Sequence, residues 1–374
     1  MSTRNTLPEG VVSLPAHEAH ARHVLDANAW AYFAGGAADE STVQDNRKAW
    51  NDIRLHPRIL RPVAGGHTRV SLLGRSLAHP ILLAPVAYQR MAHPDGELGS
   101  AVAASAQEAG LVLSTQASTP LEAVADAIRD DPDRGPLWFQ LYLQHDRGFN
   151  TELIRRAEAA GYEALVLTVD APCSGARDRE RAAGFRLPPG ISAVNLAGLP
   201  PRPARDLAPG RSGLFDDLLH DAPTWDDIAW LQAQTRLPVI LKGVLHPDDA
   251  LEAARQQVGG IIVSNHGGRT LDTLPTTVDA LPAVVDAVGG SLPVLVDGGI
   301  RRGTDVLKAM ALGASAVLIG RPYIFGLANA GALGVAHVIR LLRDELEIAM
   351  ALCGARTLQK LPDGLLGKPA QPRR

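Results

Sequence analysis

ILLAP (81–85), LVLST (111–115), LWFQLY (137–142), ALVLTVD (164–170), PVILKGV (238–244), GIIVSNHG (260–267), PVLVDGG (293–299) and AVLIGRP (316–322) are eight short apolar runs in sequence order. Each is too continuously apolar to be a strand with one face in water, and fits a sheet covered on both faces. Between them lie stretches with helical spacing, among them residues 151–160, 225–234, 247–257 and 304–312. Eight β/α units within about 250 residues have the size and order of a TIM (β/α)8 barrel. An open doubly wound sheet is the alternative, but eight units in one chain favour closure.

The whole chain reads as one domain. The barrel with a final helix spans residues 81–353, after an N-terminal extension (1–80) and before a tail (354–374). In the extension, a helix is expected over residues 17–33, ended by Gly35 and Gly36 as a C-cap. The connection from 186 to 223 is rich in Pro, Gly and Asp. At that length it reads as a flexible flap over the C-terminal face, with little structure of its own. The basic, Pro-rich end GKPAQPRR reads as a frayed tail.

A hydrophobic fraction of 46% and a charged fraction of 21% are those of an ordinary globular protein. The formal charge of −3 gives no reason to expect nucleic acid or an acidic membrane surface as partner. No uninterrupted apolar run approaches the roughly 20 residues of a membrane span, so no membrane partner is expected. The N-terminus lacks the apolar segment of a secretory signal, and the C-terminus does not end in SKL. Cys173 and Cys353 are the two cysteines, far apart and outside any ligand spacing; no metal site or disulfide is expected, and a cytoplasmic location fits.

In this barrel class the site lies where the strands end. Here those ends carry Pro85, Ser114, Gln140, Tyr142, Thr168, Asp170 and Lys242. They continue with Ser264-Asn265-His266-Gly267-Gly268-Arg269, Asp297-Gly298-Gly299 and Gly320-Arg321. DGGIRRG after the seventh run and GRP after the eighth combine glycines with Arg301, Arg302 and Arg321. Backbone N–H groups, a helix N-terminus and guanidinium groups at these two strands would cradle a phosphate. Tight turns with solvated arginines would look similar, and the cradle does not separate a sugar phosphate from FMN. Lys242 within VILKGV could be a Schiff-base nucleophile, a fixed charge beside an electron-accepting ring, or a lysine reaching the rim. SNHGGR narrows the choice. It offers a histidine as base and an arginine as carboxylate clamp, with Asp170 placed to orient the histidine.

These residues resemble the FMN-dependent 2-hydroxy-acid oxidase and dehydrogenase family, which includes glycolate oxidase, lactate oxidase and mandelate dehydrogenase. The resemblance runs over nearly the whole chain, from Tyr32-Phe33-Ala34-Gly35-Gly36-Ala37 through APVAYQRMAHPDGE (84–97), FQLY, LTVDAP, LKGV, SNHGGR and DGGIRRGTDV to IGRP. It implies FMN as cofactor, a small (S)-2-hydroxy acid as substrate, O2 or another electron acceptor, and a homotetramer. It implies that Pro85, Val86 and Ala87 line the flavin, and that Ser114, Gln140, Thr168 and Ser264 attend its polar side. Lys242 would face N1 and the C2 carbonyl, Asp297 the ribityl chain, and Gly299, Arg301, Gly320 and Arg321 the phosphate. Tyr32, Arg177 and Arg269 would clamp the substrate carboxylate, Tyr142 would contact the substrate oxygen, and His266 would be the base, supported by Asp170. Ala87 resembles the alanine found beside N5 in the family's oxidases, which favours oxygen as acceptor.

The departures concern the side-chain pocket. Gln116 stands where glycolate oxidases carry tryptophan, and Ser174 where they have a larger apolar residue. The pocket is therefore expected to take acids larger than glycolate, lactate and mandelate-like acids among them. Three other readings are open: a Schiff-base aldolase, a non-catalytic relative, and another FMN barrel enzyme such as an isoprenoid isomerase. The first needs no His266 beside Arg269, the second should have lost His266, Arg269 or Lys242, and the third would lack the Tyr32/Arg269 clamp.

Overall fold

In a computed structural model, which describes residues 5–367 except 204, 206 and 209, all eight runs become parallel strands of one closed barrel. They are β1 (Ile81–Leu83), β2 (Gly110–Ser114), β3 (Leu137–Leu141), β4 (Ala164–Thr168), β5 (Val239–Val244), β6 (Gly260–Val263), β7 (Val294–Val296) and β8 (Ala316–Ile319). Neighbours pair in sequence order, and β8 closes onto β1 with Val317 opposite Ile81 and Ile319 opposite Leu83. Closure leaves no strand edge to pair with another chain.

The register breaks at one place, between Lys242 and Val244 of β5. Gly243 there has a φ of +115°, and a Cβ on it would lie 2.5 Å from the Asp170 side chain. The bulge therefore brings Asp170 against β5, and only glycine permits it.

Among the described residues, twelve α-helices accompany the barrel. Three precede it: α1 (Leu14–Val24), α2 (Ala27–Ala34) and α3 (Ser41–Asp52). A hairpin, Val70–Leu72 with Arg75–Leu77, leads into β1. Then follow α4 (Gly96–Ala106), α5 (Leu121–Asp126), α6 (Arg147–Ala160), α7 (Asp178–Ala182), α8 (Asp226–Ala233), α9 (Pro247–Arg255), α10 (Thr277–Val288), α11 (Gly303–Ala311) and α12 (Arg321–Cys353).

Four expectations are corrected. The single helix over 17–33 is two, because the Asp26 side chain accepts from Ala29 N at 2.7 Å and starts a second helix. Gly35 is not a left-handed cap, since its φ is −66°. Gly35 and Gly36 instead permit close approach: a Cβ on Gly36 would lie 2.5 Å from Val43 and 3.0 Å from the Gly268 carbonyl.

Residues 186–223 are not structureless. Short helical turns occupy Val194–Leu196, Gly213–Asp217 and Leu218–Asp221. Buried Asn195 ties the first to Leu121, and Arg202 and Arg205 pair with Asp217 and Asp221. The start of the tail is also ordered, with Leu366–Gly367 pairing antiparallel to Arg54–Leu55 and Leu358 and Leu365 buried. The remainder of GKPAQPRR lies outside the described residues.

Finally, α12 is long and apolar enough to cross a membrane, with a mean hydropathy of 1.5 in its best window. Its backbone breaks at Ala330 and Gly331, and Phe325, Val338 and Leu342 are fully buried under α1, α4 and α11. It is a core helix.

Candidate active site

The strand ends converge on a cavity lined by β-strand residues, the Tyr32-Phe33 end of α2 and the loop after β6. Among the residues expected there, Pro85, Val86, Ala87, Ser114, Gln140 and Thr168 line it from the first four strands. Lys242, Asp297, Gly299, Arg301, Gly320 and Arg321 line it from the last four. Tyr32, Gln116, Tyr142, Arg177, His266 and Arg269 complete the wall. Asp170 and Ser264 stand behind it, each bonded to a lining residue, and Ser174 is not among the lining residues.

His266 sits in the left-handed region at a φ of +56°, a conformation uncommon for a non-glycine residue. Its backbone N donates to Ser264 Oγ at 3.0 Å, and its Nδ1 lies 2.9 Å from Asp170 Oδ1. With Nδ1–H donating to that carboxylate, Nε2 is left as a free acceptor. Burial holds the imidazole below its ordinary value, against the opposing pull of Asp170, so it stays a neutral base near pH 7. Burial works the other way on Asp170, but His266 and Lys242 hold it ionised.

Lys242 Nζ donates to Ser264 Oγ at 2.9 Å and pairs with Asp297 Oδ2 at 3.1 Å. Burial alone would lower this ammonium, yet the Asp297 and Asp170 carboxylates hold it above its ordinary value. An amine so firmly protonated is a fixed charge, the opposite of what a Schiff-base nucleophile needs. The aldolase reading loses its central residue on this ground.

Arg269 reaches back to the extension. Its Nη1 donates to the carbonyls of Tyr32 and Gly35, and its guanidinium lies 4.9 Å from the Tyr32 ring centre. Tyr32 stacks on Phe185 at 5.0 Å, and burial pushes its phenol up to about 12. Burial, then Asp170, also raises Tyr142. Both phenols therefore keep their protons and can only donate to an anion.

Arg321 donates to the carbonyls of Phe33, Gly35 and Gly267. Burial, then the charges of Arg269 and Arg301, lowers it to about 9, and burial lowers Arg301 to about 10. Two buried guanidinium groups, each disfavoured by burial and one of them also by the other's charge, form a site for an anion. The start of α11 is already closed, because Asp305 accepts from Arg301 N and Arg302 N. The helix end that faces the cavity is therefore that of α12, at Gly320 and Arg321.

Sequence reasoning missed several contributors. Glu180 contacts both Arg269 and Arg177, yet within DRER (178–181) it looks like part of a solvated charge run. Phe185 backs Tyr32. Asn46 of α3 exchanges side-chain hydrogen bonds with Asn265, and Asp272 caps the start of α3, so this helix fixes the loop that carries His266. Apart from the Glu180–Arg177 contact, the hydrogen-bonded partners of Glu180, Asp272 and Asn46 lie some 90 to 230 positions away, so no local pattern marks these roles.

This arrangement defines a class: a TIM-barrel enzyme that anchors a phosphate-bearing cofactor beside a fixed positive charge and presents a neutral base to a small carboxylate. The comparisons agree. The family model "FMN-dependent dehydrogenase" matches residues 21–368. An L-lactate oxidase of Roseobacter sp. is 50% identical over 362 residues, covering 96% of each chain. Glycolate oxidase 1 of Zea mays is 44% identical, covering 94% of each. A crystal structure of mandelate oxidase with (S)-2-phenylpropionate superposes with a TM-score of 0.83 at 42% identity, covering 93% of this chain and 96% of the other.

The chain belongs to the FMN-dependent dehydrogenase family. It is an FMN-dependent enzyme that oxidises 2-hydroxy acids. Its residues fit that cofactor. Gln140 Nε2 and Asp297 Oδ1 are buried without a hydrogen-bond partner, a donor and an acceptor aimed into the cavity. A Cβ on Gly320 would meet nothing closer than 3.9 Å, so the space over this glycine is left open by the protein itself.

Proposed function

We propose that the enzyme oxidises an (S)-2-hydroxy monocarboxylic acid to the 2-keto acid, with O2 as final acceptor and H2O2 as second product. The observation that carries this is the free Nε2 of His266, backed by Asp170 and sharing one cavity with Lys242 and the two arginines. Arg269 and Arg177 hold the carboxylate, with the Tyr32 hydroxyl as a further donor. Tyr142 donates to the substrate oxygen. His266 takes up the released proton, and the imidazolium is stabilised by Asp170. FMN would supply the two-electron acceptor, and Lys242, a fixed positive charge lining the same cavity, would offset the negative charge of its reduced form. Gln140, Ser114 and Thr168 would hold the ring's polar edge, Asp297 the ribityl chain, and Arg301, Arg321, Gly299 and Gly320 the phosphate.

Gln116 lines the cavity, with no bulky ring of its own. This supports a pocket for L-lactate and larger acids. A hydrophobic pocket discriminates by about 1–3 kcal/mol per methylene, so a broad profile is expected. Exposed Leu98 and Val102 of α4 and Leu333 of α12 fit a homo-oligomer, and the family resemblance implies a tetramer. The two free cysteines support a cytoplasmic location.

The test is turnover of glycolate, L-lactate, longer 2-hydroxy acids and mandelate, with oxygen and with an artificial acceptor. Stopped-flow reoxidation of the reduced enzyme completes it. Reoxidation by oxygen much slower than turnover with the dye would make the enzyme a dehydrogenase.

A further inference from the structure

We propose that Glu180 is the positioning residue of the carboxylate clamp, and that its charge matches the clamp to substrates with a single carboxylate. The proposal rests on the assignment of Arg177 and Arg269 as that clamp. One oxygen, Glu180 Oε1, lies 3.1 Å from Arg269 Nη2 and 3.5 Å from Arg177 Nη1. Its side chain is only 12% exposed, and it does not line the cavity, whereas both arginines do. The carboxylate thus holds one donor of each guanidinium group from outside the cavity; with Arg269 Nη1 on the Tyr32 and Gly35 carbonyls and Arg177 Nε on the Arg269 carbonyl, Arg269 Nε and Arg177 Nη2 remain for the ligand.

The neighbouring charges are spoken for. Arg179 pairs with Glu40 across to the extension, and Arg181 pairs with Asp178. Glu180 is therefore the carboxylate of the DRER run that serves the clamp. Two guanidinium groups and one carboxylate leave a single positive charge, which one substrate carboxylate neutralises. A second carboxylate on the substrate would enter a water-poor site with no cation left for it, and would face Glu180 across the arginines. Without Glu180 the two guanidinium groups would lose the one carboxylate they share, and only backbone carbonyls, those of Tyr32 and Gly35 for Arg269 and that of Arg269 for Arg177, would hold them against their mutual repulsion.

The experiment uses two matched ligands without a hydrogen to lose from the hydroxyl-bearing carbon. They are 2-hydroxyisobutyrate, a monoanion, and 2-hydroxy-2-methylmalonate, its dianionic counterpart. Binding to the FMN-loaded enzyme is read from the visible flavin spectrum, without turnover. The wild type should bind the monoanion more tightly. In Glu180→Gln the dianion-to-monoanion ratio of Kd should fall about tenfold, as expected for removing one charge several ångströms from the second carboxylate under partial screening. Glu180→Asp keeps the charge but is too short to reach both arginines. It should weaken both ligands and leave the ratio within about twofold. A merely structural residue would change both ratios alike.

A wild type that prefers the dianion overturns the proposal without any variant, as does an unchanged ratio in Glu180→Gln. If Glu180→Gln loses its flavin, Glu180→Ala reads the same charge removal. Arg269→Met is the control on the underlying assignment. Undiminished binding of the monoanion in that variant would remove the clamp itself, whatever Glu180 does.

Discussion

Replacing Asp170 by Asn removes one negative charge from beside His266 while keeping a group of the same shape. The two residues meet at 2.9 Å, with side chains 11% and 20% exposed. At a charge separation of about 4 Å and an effective dielectric of about 20, a carboxylate stabilises the imidazolium formed during the reaction by about 4 kcal/mol. Partial exposure reduces this to about 2–4 kcal/mol. The rate of flavin reduction by substrate should then fall by about 30- to 1,000-fold, with FMN content unchanged. Anaerobic stopped-flow loss of the visible flavin absorption measures it.

The pH dependence carries a sign. His266 works as the neutral base, and burial holds its value below the ordinary one. In the wild type, kcat/KM therefore rises as pH rises through a value below about 6.5 and then levels off. Asp170 is the group that opposes that lowering, so its loss should move the acid limb to still lower pH. A rate within threefold of wild type, or an acid limb moved upward, would refute the role given to Asp170.

His266→Ala should retain FMN and lose about 10²–10⁴-fold in flavin reduction, measured in the same way. Lys242→Met should lower the flavin reduction potential and weaken sulfite binding; a variant that binds sulfite as tightly as wild type would contradict the placement of that charge. Gln116→Trp should shift the kcat/KM ratio towards glycolate, and an unchanged ratio would show that Gln116 does not shape the pocket. Gly299→Ala puts a Cβ 2.2 Å from the Asn46 carbonyl at a φ of +78°, so thermal unfolding and FMN content should both drop. A loss of about 2 kcal/mol or more is expected.

The barrel was legible because each strand is buried on both faces and announces itself as an apolar run. Residues 81–83, 137–141 and 164–168, for instance, are all fully buried. The strand-end chemistry was legible for a related reason: a lysine or histidine that ends such a run has no place in the core. Periodicity was less informative about interruptions. The apolar pattern of 17–33 continues across Leu25, and only the capping bond of Asp26 breaks the helix there. Glu180 and Asn46 escaped because their roles come from non-local contacts. The Pro-rich connection was misread as structureless because Asn195 anchors it from a distance.

Arg321 and Arg269 find their backbone acceptors in the Tyr32–Gly35 stretch, more than 230 residues earlier in the chain. During synthesis, those carbonyls wait until almost the whole polypeptide has emerged before their partners exist. The mouth of the barrel is thus the last part of the molecule to be completed. Burial and the charges of Arg269 and Arg301 disfavour the Arg321 cation there, so an anion in the cavity would stabilise it. Flavin binding should consequently tighten the docking of the N-terminal segment. Apoenzyme should exchange amide hydrogens fastest over residues 27–40, and cofactor should protect that segment more than any barrel strand.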